Sequence, residues 1–201
     1  DAVNRYSDLD YPVQSTLFFE FHGTLSGVEE QSAMVQDIAK EFGAADFQWT
    51  TKAEERTKLW QARHDAYYAG LALRPGSKGM ATDVCVPLSR LAECIVETRK
   101  DIDQSGLIAP IVGHVGDGNF HLVLLMDPDD TDEIARIKAL NERMIMRAIA
   151  MDGTCTGEHG VGSGKIDFLV AEHGEAVSVM RAMKMALDPD NIMNPGKIVR
   201  I

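Results

Sequence analysis

Gly113-His114-Val115-Gly116-Asp117-Gly118-Asn119-Phe120-His121 reads as two short strands that reverse through an Asp-Gly turn, with a histidine on each arm. Asp-Gly is a favoured two-residue hairpin turn because both central positions need positive φ. With Asp117 and Gly118 at the turn, the pairs run Gly116 with Asn119, Val115 with Phe120, and His114 with His121. Directly opposed residues share a face with Cβ atoms ~4.5–5.5 Å apart. Two imidazoles so placed can meet one cation at ~2.0–2.1 Å from each nitrogen. The glycines at 113, 116 and 118 add no side chains to a sheet core, so backbone is expected to approach something closely there. The bland alternative is a pair of histidines capping a hairpin for structural reasons.

Outward from this hairpin, the arms extend over Leu107–Val115 and Phe120–Met126. Upstream, Thr16–Phe21 is a β-rich apolar run that predicts a buried strand, and Asp46–Thr50 a second short one. Between them, Ser26-Gly-Val-Glu29 has the form of a capping box opening a helix to about Phe42, closed by Gly43. Ala53–Leu73 predicts a longer helix ended by Arg74-Pro75-Gly76, and Ala81–Val86 a third strand leading through Pro87 into a helix ending near Ile102. Downstream, a helix is expected from Asp132 to Met151, with Ile134, Ile137, Leu140 and Met144 on one stripe and acidic residues complementing the dipole of its first turn. A glycine-rich loop, a helix over Ala176–Leu187 and a Pro/Asn-rich tail complete the chain. This order predicts a single α+β domain over residues 1–201, an antiparallel or mixed sheet covered by helices.

Bulk properties exclude several function classes. A net charge of −11 argues against non-specific nucleic-acid binding. No apolar run approaches the ~20 residues of a membrane span, and no secretory leader pattern opens the sequence. Cys85, Cys94 and Cys155 are odd in number and lack C-x-x-C spacing, which fits free thiols in a reducing compartment, either cytoplasmic or peripheral to an energy-transducing membrane. The chain begins at Asp1 rather than methionine, so a piece of a longer protein is expected.

A third ligand for the histidine pair is sought in Thr154-Cys-Thr-Gly157-Glu158-His159-Gly-Val-Gly162-Ser-Gly164-Lys165. Glu158 would complete a two-His-one-carboxylate set with open positions, suited to Zn²⁺, Mn²⁺ or Fe²⁺. His159 is a fourth ligand or an acid/base group. A phosphate-cradling reading is weaker, because His159 stands where the Walker pattern needs glycine and Ile166 follows Lys165. On the helix before the strands, Leu59, Arg63, Ala66, Tyr67 and Gly70 share one stripe. An arginine there either pairs with one of the 31 acidic residues or clamps a substrate carboxylate with its guanidinium fork. Lys78 is a loop cation that would serve similarly, or a solvated one. His22, His64 and His173 carry no motif.

Trp60-Gln-Ala-Arg63-His, Asp83-Val-Cys-Val-Pro87, the 113–121 hairpin, Gly157-Glu158-His159-Gly-Val-Gly162 and Asp188-Pro-Asp-Asn-Ile-Met-Asn194-Pro-Gly-Lys197 occur in one order. Together they resemble the C-terminal, substrate-side domain of FAD-linked oxidases, strongly over residues 55–200 and loosely before that. Within that family, Arg74-Pro-Gly-Ser-Lys-Gly through Asp83-Val-Cys-Val-Pro is most similar to the cytochrome-type D-lactate dehydrogenases. The glycolate oxidase flavin subunit and D-2-hydroxyglutarate dehydrogenase are near relatives. The resemblance implies a ferredoxin-like elaboration of the fold and an FAD held mainly by an N-terminal domain outside this chain. It implies that His114, His121 and Glu158 bind the divalent cation, that His159 is the base, that Arg63 holds the substrate carboxylate, and that Asn119 orients substrate. Glu158, through the cation, and Asn194 would serve the cofactors, with Asn194 approaching the flavin. Hydroxyglutarate enzymes carry a lysine two positions before Asp83 where this chain has Ala81, which disfavours a dicarboxylic substrate; Lys78 is a poor substitute.

The expected function is thus half of an FAD-dependent D-2-hydroxyacid dehydrogenase, its substrate a small 2-hydroxy acid (D-lactate foremost), its partner an FAD-binding domain, and its electron acceptor unnamed. Two other readings stand beside it. One is a stand-alone metal-dependent hydrolase or oxygenase using the same three ligands. The other is a non-catalytic module that docks a flavoprotein partner.

Overall fold

A computed structural model describes residues 1–44 and 47–201. The chain divides into two compact units, Asp1–Ala69 and Gly70–Ile201.

The first unit is helical. Helix α1 spans Ala2–Ser7, α2 Leu25–Glu41 and α3 Ala53–His64; α4, Ala66–Leu71, crosses into the second unit. The expected capping box is displaced by two residues. Thr24, in an extended conformation, is the N-cap, and its hydroxyl accepts from the Gly27 N–H at 3.3 Å, which leaves Ser26 inside the first turn. Gly43 follows the end of α2 at φ 77°, a left-handed geometry natural to glycine. The strand expected at Thr16–Phe21 does not form. A β-rich composition supplies propensity only, and a strand exists by pairing. These residues instead make ring contacts, Phe19 with Phe21 at 6.2 Å and Phe18 with Trp60 at 6.4 Å. Phe47–Thr50 is likewise not a strand, and the start of that expected strand lies outside the described residues. The single helix expected over Ala53–Leu73 breaks at Asp65, whose N–H closes α3 onto Gln61 and whose carbonyl opens α4 by accepting from Ala69. The stripe carrying Arg63 is therefore split between α3 and α4.

The second unit is built on an antiparallel sheet. Strands β1 (Lys78–Ala81) and β2 (Val84–Cys85) lie along one edge of β4 (Asn119–Met126), and β3 (Ile111–His114) pairs with β4 from residue 119 to 122. Ala81↔Val123 and Val84↔Phe120 keep one register, so β1 and β2 are two parts of one edge interrupted at Thr82-Asp83. Successive residues of β4 bond to opposite neighbours: the Leu122 carbonyl accepts from Thr82 N–H, while Val123 N–H donates to the Pro110 carbonyl. Alternation then sorts the side chains. Phe120, Leu122 and Leu124 face a core completed by Leu91, Cys94 and Ile102 of α5 (Leu88–Ser105) and by Ile137, Leu140, Met144 and Ile145 of α6 (Thr131–Ala150). Asp83, His114, Asn119 and His121 fall on the opposite face. Helix α6 is capped by Asp130, whose carboxylate accepts from the N–H groups of Asp132 and Glu133. Two further helices, α7 (Ile166–His173) and α8 (Ala176–Leu187), follow the glycine-rich loop; α7 was not expected from the sequence.

The hairpin corrects the expected register. His114 pairs with Asn119 and Val112 with His121, because Val115–Asp117 forms a turn of 3₁₀ helix and Gly118 takes φ 78°. The loop has four residues rather than two, and Gly118 is obligatory for a second reason: a Cβ there would lie 2.1 Å from the Val86 carbonyl oxygen. The fold is α+β, as expected. Among the described residues no helix is long and apolar enough to cross a membrane, and all three cysteines are free thiols.

Candidate metal centre

The geometry of the site starts from one threonine. In the regular ladder, Leu122 N–H would donate to the backbone carbonyl of residue 82. Here it donates to the Thr82 hydroxyl at 2.8 Å, which releases the Thr82 carbonyl. That carbonyl lies 2.8 Å from Nδ1 of His121. A carbonyl only accepts, so Nδ1 carries the proton and Nε2 keeps its lone pair free. Metal-binding histidines are characteristically fixed in this way by a backbone carbonyl.

His121 is buried, and its Nε2 points at Glu158 Oε1, 3.0 Å away. His114 Nε2 is 3.7 Å from the same oxygen, and the two imidazoles stand edge to face with centroids 6.0 Å apart. One ligand atom from each of His114, His121 and Glu158 lies within 4.8 Å of the others. Ligands at ~2.0–2.1 Å around a tetrahedral ion sit about 3.3 Å from one another, so these spacings suit a small divalent cation. The donor set, two imidazoles and a carboxylate, suits Zn²⁺, Mn²⁺ or Fe²⁺. His159 stacks on His121 at 5.1 Å and reaches Glu158 with Nε2 at 3.7 Å. Glu158, His114 and His159 are each about half exposed, so the site opens to solvent.

Behind the ligands lies a carboxylate, Asp83 of the Asp83-Val-Cys-Val-Pro87 motif, whose task the sequence does not reveal. Asp83, 1% exposed, accepts from the N–H groups of Gly157, Glu158 and His159, from the Thr156 hydroxyl and from the Asn119 amide, at 2.9–3.2 Å. Burial alone would raise its pKa, but the His159 N–H, the Asn119 amide, the Thr156 hydroxyl and the Glu158 N–H hold it far below the usual carboxylate range. Lys165 donates to the Asp83 carbonyl at 2.8 Å and adds a nearby positive charge. Asp83, His121 and His159 also offer atoms in mutual reach. With both its oxygens already taken by donors, however, Asp83 is a poor ligand compared with Glu158.

Asn119 donates through Nδ2 to Asp83 Oδ1 and to the Val84 carbonyl, two acceptors that fix the amide's orientation. Its buried Oδ1 is left without a hydrogen-bond partner. Glu172 of α7 anchors the start of the loop by accepting from Cys155 N–H at 2.7 Å and from the Thr154 hydroxyl at 3.2 Å. Burial, with Glu172 beside it, pushes the Cys155 thiol up to about 12.

The other expected site residues stand on other elements. Lys78 pairs with Met126, five residues along β4 from His121, or roughly 17 Å at a strand's rise. Arg63 occupies the last turn of α3, in the first unit. Asn194 sits exposed in a left-handed turn of the tail, and that tail returns to the glycine loop through Ile198 N–H donating to the Gly162 carbonyl at 3.2 Å.

Residues 1–198 match the family model described as FAD linked oxidases, C-terminal domain. The chain belongs to that family. This FAD-linked oxidase domain is 52% identical over its whole length to a protein named probable D-lactate dehydrogenase, mitochondrial, of Danio rerio, and covers 41% of it. It is 43% identical, over 98% of its length, to the D-lactate dehydrogenase [cytochrome], mitochondrial, of Arabidopsis thaliana, of which it covers 35%. Against the glycolate oxidase subunit GlcD of Escherichia coli K12 the identity is 32% over 98% of the chain and 40% of that protein. The chain thus spans about two fifths of the length of these curated relatives.

Proposed function

We propose that this FAD-linked oxidase domain is the substrate- and metal-binding part of an FAD-dependent dehydrogenase of D-2-hydroxy acids, with D-lactate as substrate. The observation that carries the reading is the convergence of His114, His121 and Glu158, with the His121 tautomer fixed by Thr82. The names of the similar proteins favour D-lactate over glycolate, and family membership weighs against the stand-alone hydrolase or oxygenase.

When bound, a divalent cation would acidify a coordinated hydroxyl, and the flavin of the companion domain would take the hydride from the substrate carbon. The chain's own residues prepare the substrate for that chemistry. His114, His121 and Glu158 hold the cation. Asn119, its amide fixed by Asp83 and the Val84 carbonyl, helps orient the substrate. His159, stacked on His121 and held by its backbone at Asp83, accepts the hydroxyl proton at Nε2. Arg63 supplies the carboxylate clamp, and Asn194 the contact to the flavin. The half-exposed ligands need cover that excludes water, which on this reading comes from the companion domain.

The test uses the full-length protein, titrated with Mn²⁺ and assayed for flavin bleaching by D-lactate. His114→Ala and His121→Ala are expected to weaken Mn²⁺ binding and abolish bleaching. Unchanged Mn²⁺ affinity in both variants would refute the site.

A further inference from the structure

The ligands come from two structural sources. His114 and His121 belong to the sheet, whereas Glu158 and His159 belong to a loop with glycines at 157, 160, 162 and 164. Nothing in the loop's own composition would hold Glu158 at 3.0 Å from His121. Asp83 joins the two. It occupies the strand edge beside His121, between the pairs Ala81↔Val123 and Val84↔Phe120. Its carboxylate gathers three consecutive backbone N–H groups, of Gly157, Glu158 and His159. Three such donors turned onto one anion form a concave nest that fixes the backbone direction of each residue in it. Oδ2 accepts from Gly157 and His159, Oδ1 accepts from the Asn119 amide, and the Glu158 N–H is shared between the two oxygens, so the same group also sets the side chain whose Oδ1 is unpartnered. Gly157 completes the fit: a Cβ there would lie 2.8 Å from Asp83 Oδ1.

We infer that Asp83 is the positioning residue of the metal centre. It presents Glu158 to the cation and His159 to the substrate hydroxyl without ligating or exchanging a proton itself. This inference rests on the proposed assignment of His114, His121 and Glu158 as the metal ligands. Removing Asp83 leaves the two sheet histidines in place and frees the loop. The loss should therefore equal that of the Glu158 contact, and the two losses should not add, because residues that act through one contact are coupled.

The experiment measures Co²⁺ binding to the full-length protein, by affinity and by the visible spectrum that reports the ligand set, in Asp83→Asn, Glu158→Gln and the double variant. Glu158→Gln and Asp83→Asn are each expected to lose about 10–100-fold in affinity, the range found when ligand-supporting groups are removed. Their spectra should match, and the double variant should bind no worse than Glu158→Gln alone. Additive losses, or an Asp83→Asn spectrum that keeps the parent ligand set, would overturn the inference. An unchanged affinity in Glu158→Gln would remove the metal assignment itself and the inference with it. Where Asp83→Asn does not fold, Thr156→Val takes its place. It deletes one of the donors to Asp83, and it should show the same non-additivity with Glu158→Gln at smaller amplitude, additivity again overturning the inference.

Discussion

Gly157→Ala isolates the link between loop placement and metal binding. The residue has no positive φ, so alanine adds no backbone strain there; the whole effect is steric. An alanine Cβ would lie 1.7 Å from Asn119 Nδ2, against an ordinary contact of at least 3.4 Å, so loop and amide must separate by the difference, about 1.7 Å. Neither can yield without loss. Moving Asn119 breaks its bonds to Asp83 and Val84, and moving the loop breaks the Gly157, Glu158 and His159 donations to Asp83. A hydrogen bond to a charged group is worth ~1.5–3 kcal/mol, so one lost bond destabilises by about 2 kcal/mol. A displacement well beyond 1 Å at Glu158 also spoils its 3.0 Å approach to His121, and Mn²⁺ affinity should fall about 10–100-fold, the range for lost ligand support. The assay pairs urea unfolding of the full-length protein with Mn²⁺ titration. A variant that keeps wild-type Mn²⁺ affinity, whatever its stability, would refute the claim that this close approach sets the site.

Further outcomes follow from particular contacts. Thr82→Val should leave Leu122 N–H to reclaim the residue 82 carbonyl, release the His121 ring and weaken Mn²⁺ binding about 10-fold; an unchanged titration would show that the tautomer is fixed otherwise. Because the Asp83 pKa is depressed on folding, its stabilisation is intact above its unfolded value of ~3.9 and fades as pH falls below it. Asp83→Asn should therefore be less stable at pH 7 and lose less on acidification to pH ~2.5 than the parent, a difference read by urea unfolding across that range. Cys155, buried and with its thiol pushed up to about 12, should resist iodoacetamide at pH 7.5 in the folded protein and react on unfolding, as peptide mass spectrometry would record. Leu140→Ala, at a fully buried position of α6, should cost about 2–5 kcal/mol in urea unfolding while leaving Mn²⁺ affinity unchanged in the folded protein.

The parts legible in the sequence were those written in local periodicity. The stripe of Ile134, Ile137, Leu140 and Met144 placed α6, the last three of these lining the buried face and Ile134 half-buried beside them, and α8 runs over the expected Ala176–Leu187. What could not be read depended on distant partners. Thr16–Phe21 has strand composition, but pairing is a tertiary event, and in the first unit these residues make ring contacts instead. Asp83 stood inside a quoted motif, yet its role is defined by N–H groups 74–76 positions away, which no local pattern announces. Thr82 was invisible for the same reason: only the ladder with Leu122 shows that its hydroxyl replaces its own carbonyl.

The histidine pair shows why a wrong register still placed both imidazoles on one face. A two-residue turn would place His114 opposite His121, whereas the four-residue loop places His114 opposite Asn119 and His121 opposite Val112. The shift is by two residues, and side chains along a strand alternate with a period of two. His114, Asn119 and His121 therefore stay on one face, and the imidazoles meet diagonally at 6.0 Å rather than directly. A slip of one residue would have sent one histidine into the core beside Phe120 and Leu122. Diagonal placement also has a chemical consequence. It puts Asn119, which is next but one to His121 along β4, abreast of His114, so a buried amide oxygen without a partner belongs to a residue on the ligands' face. With either turn Asn119 would share that face with both imidazoles; the four-residue loop sets it directly across from His114.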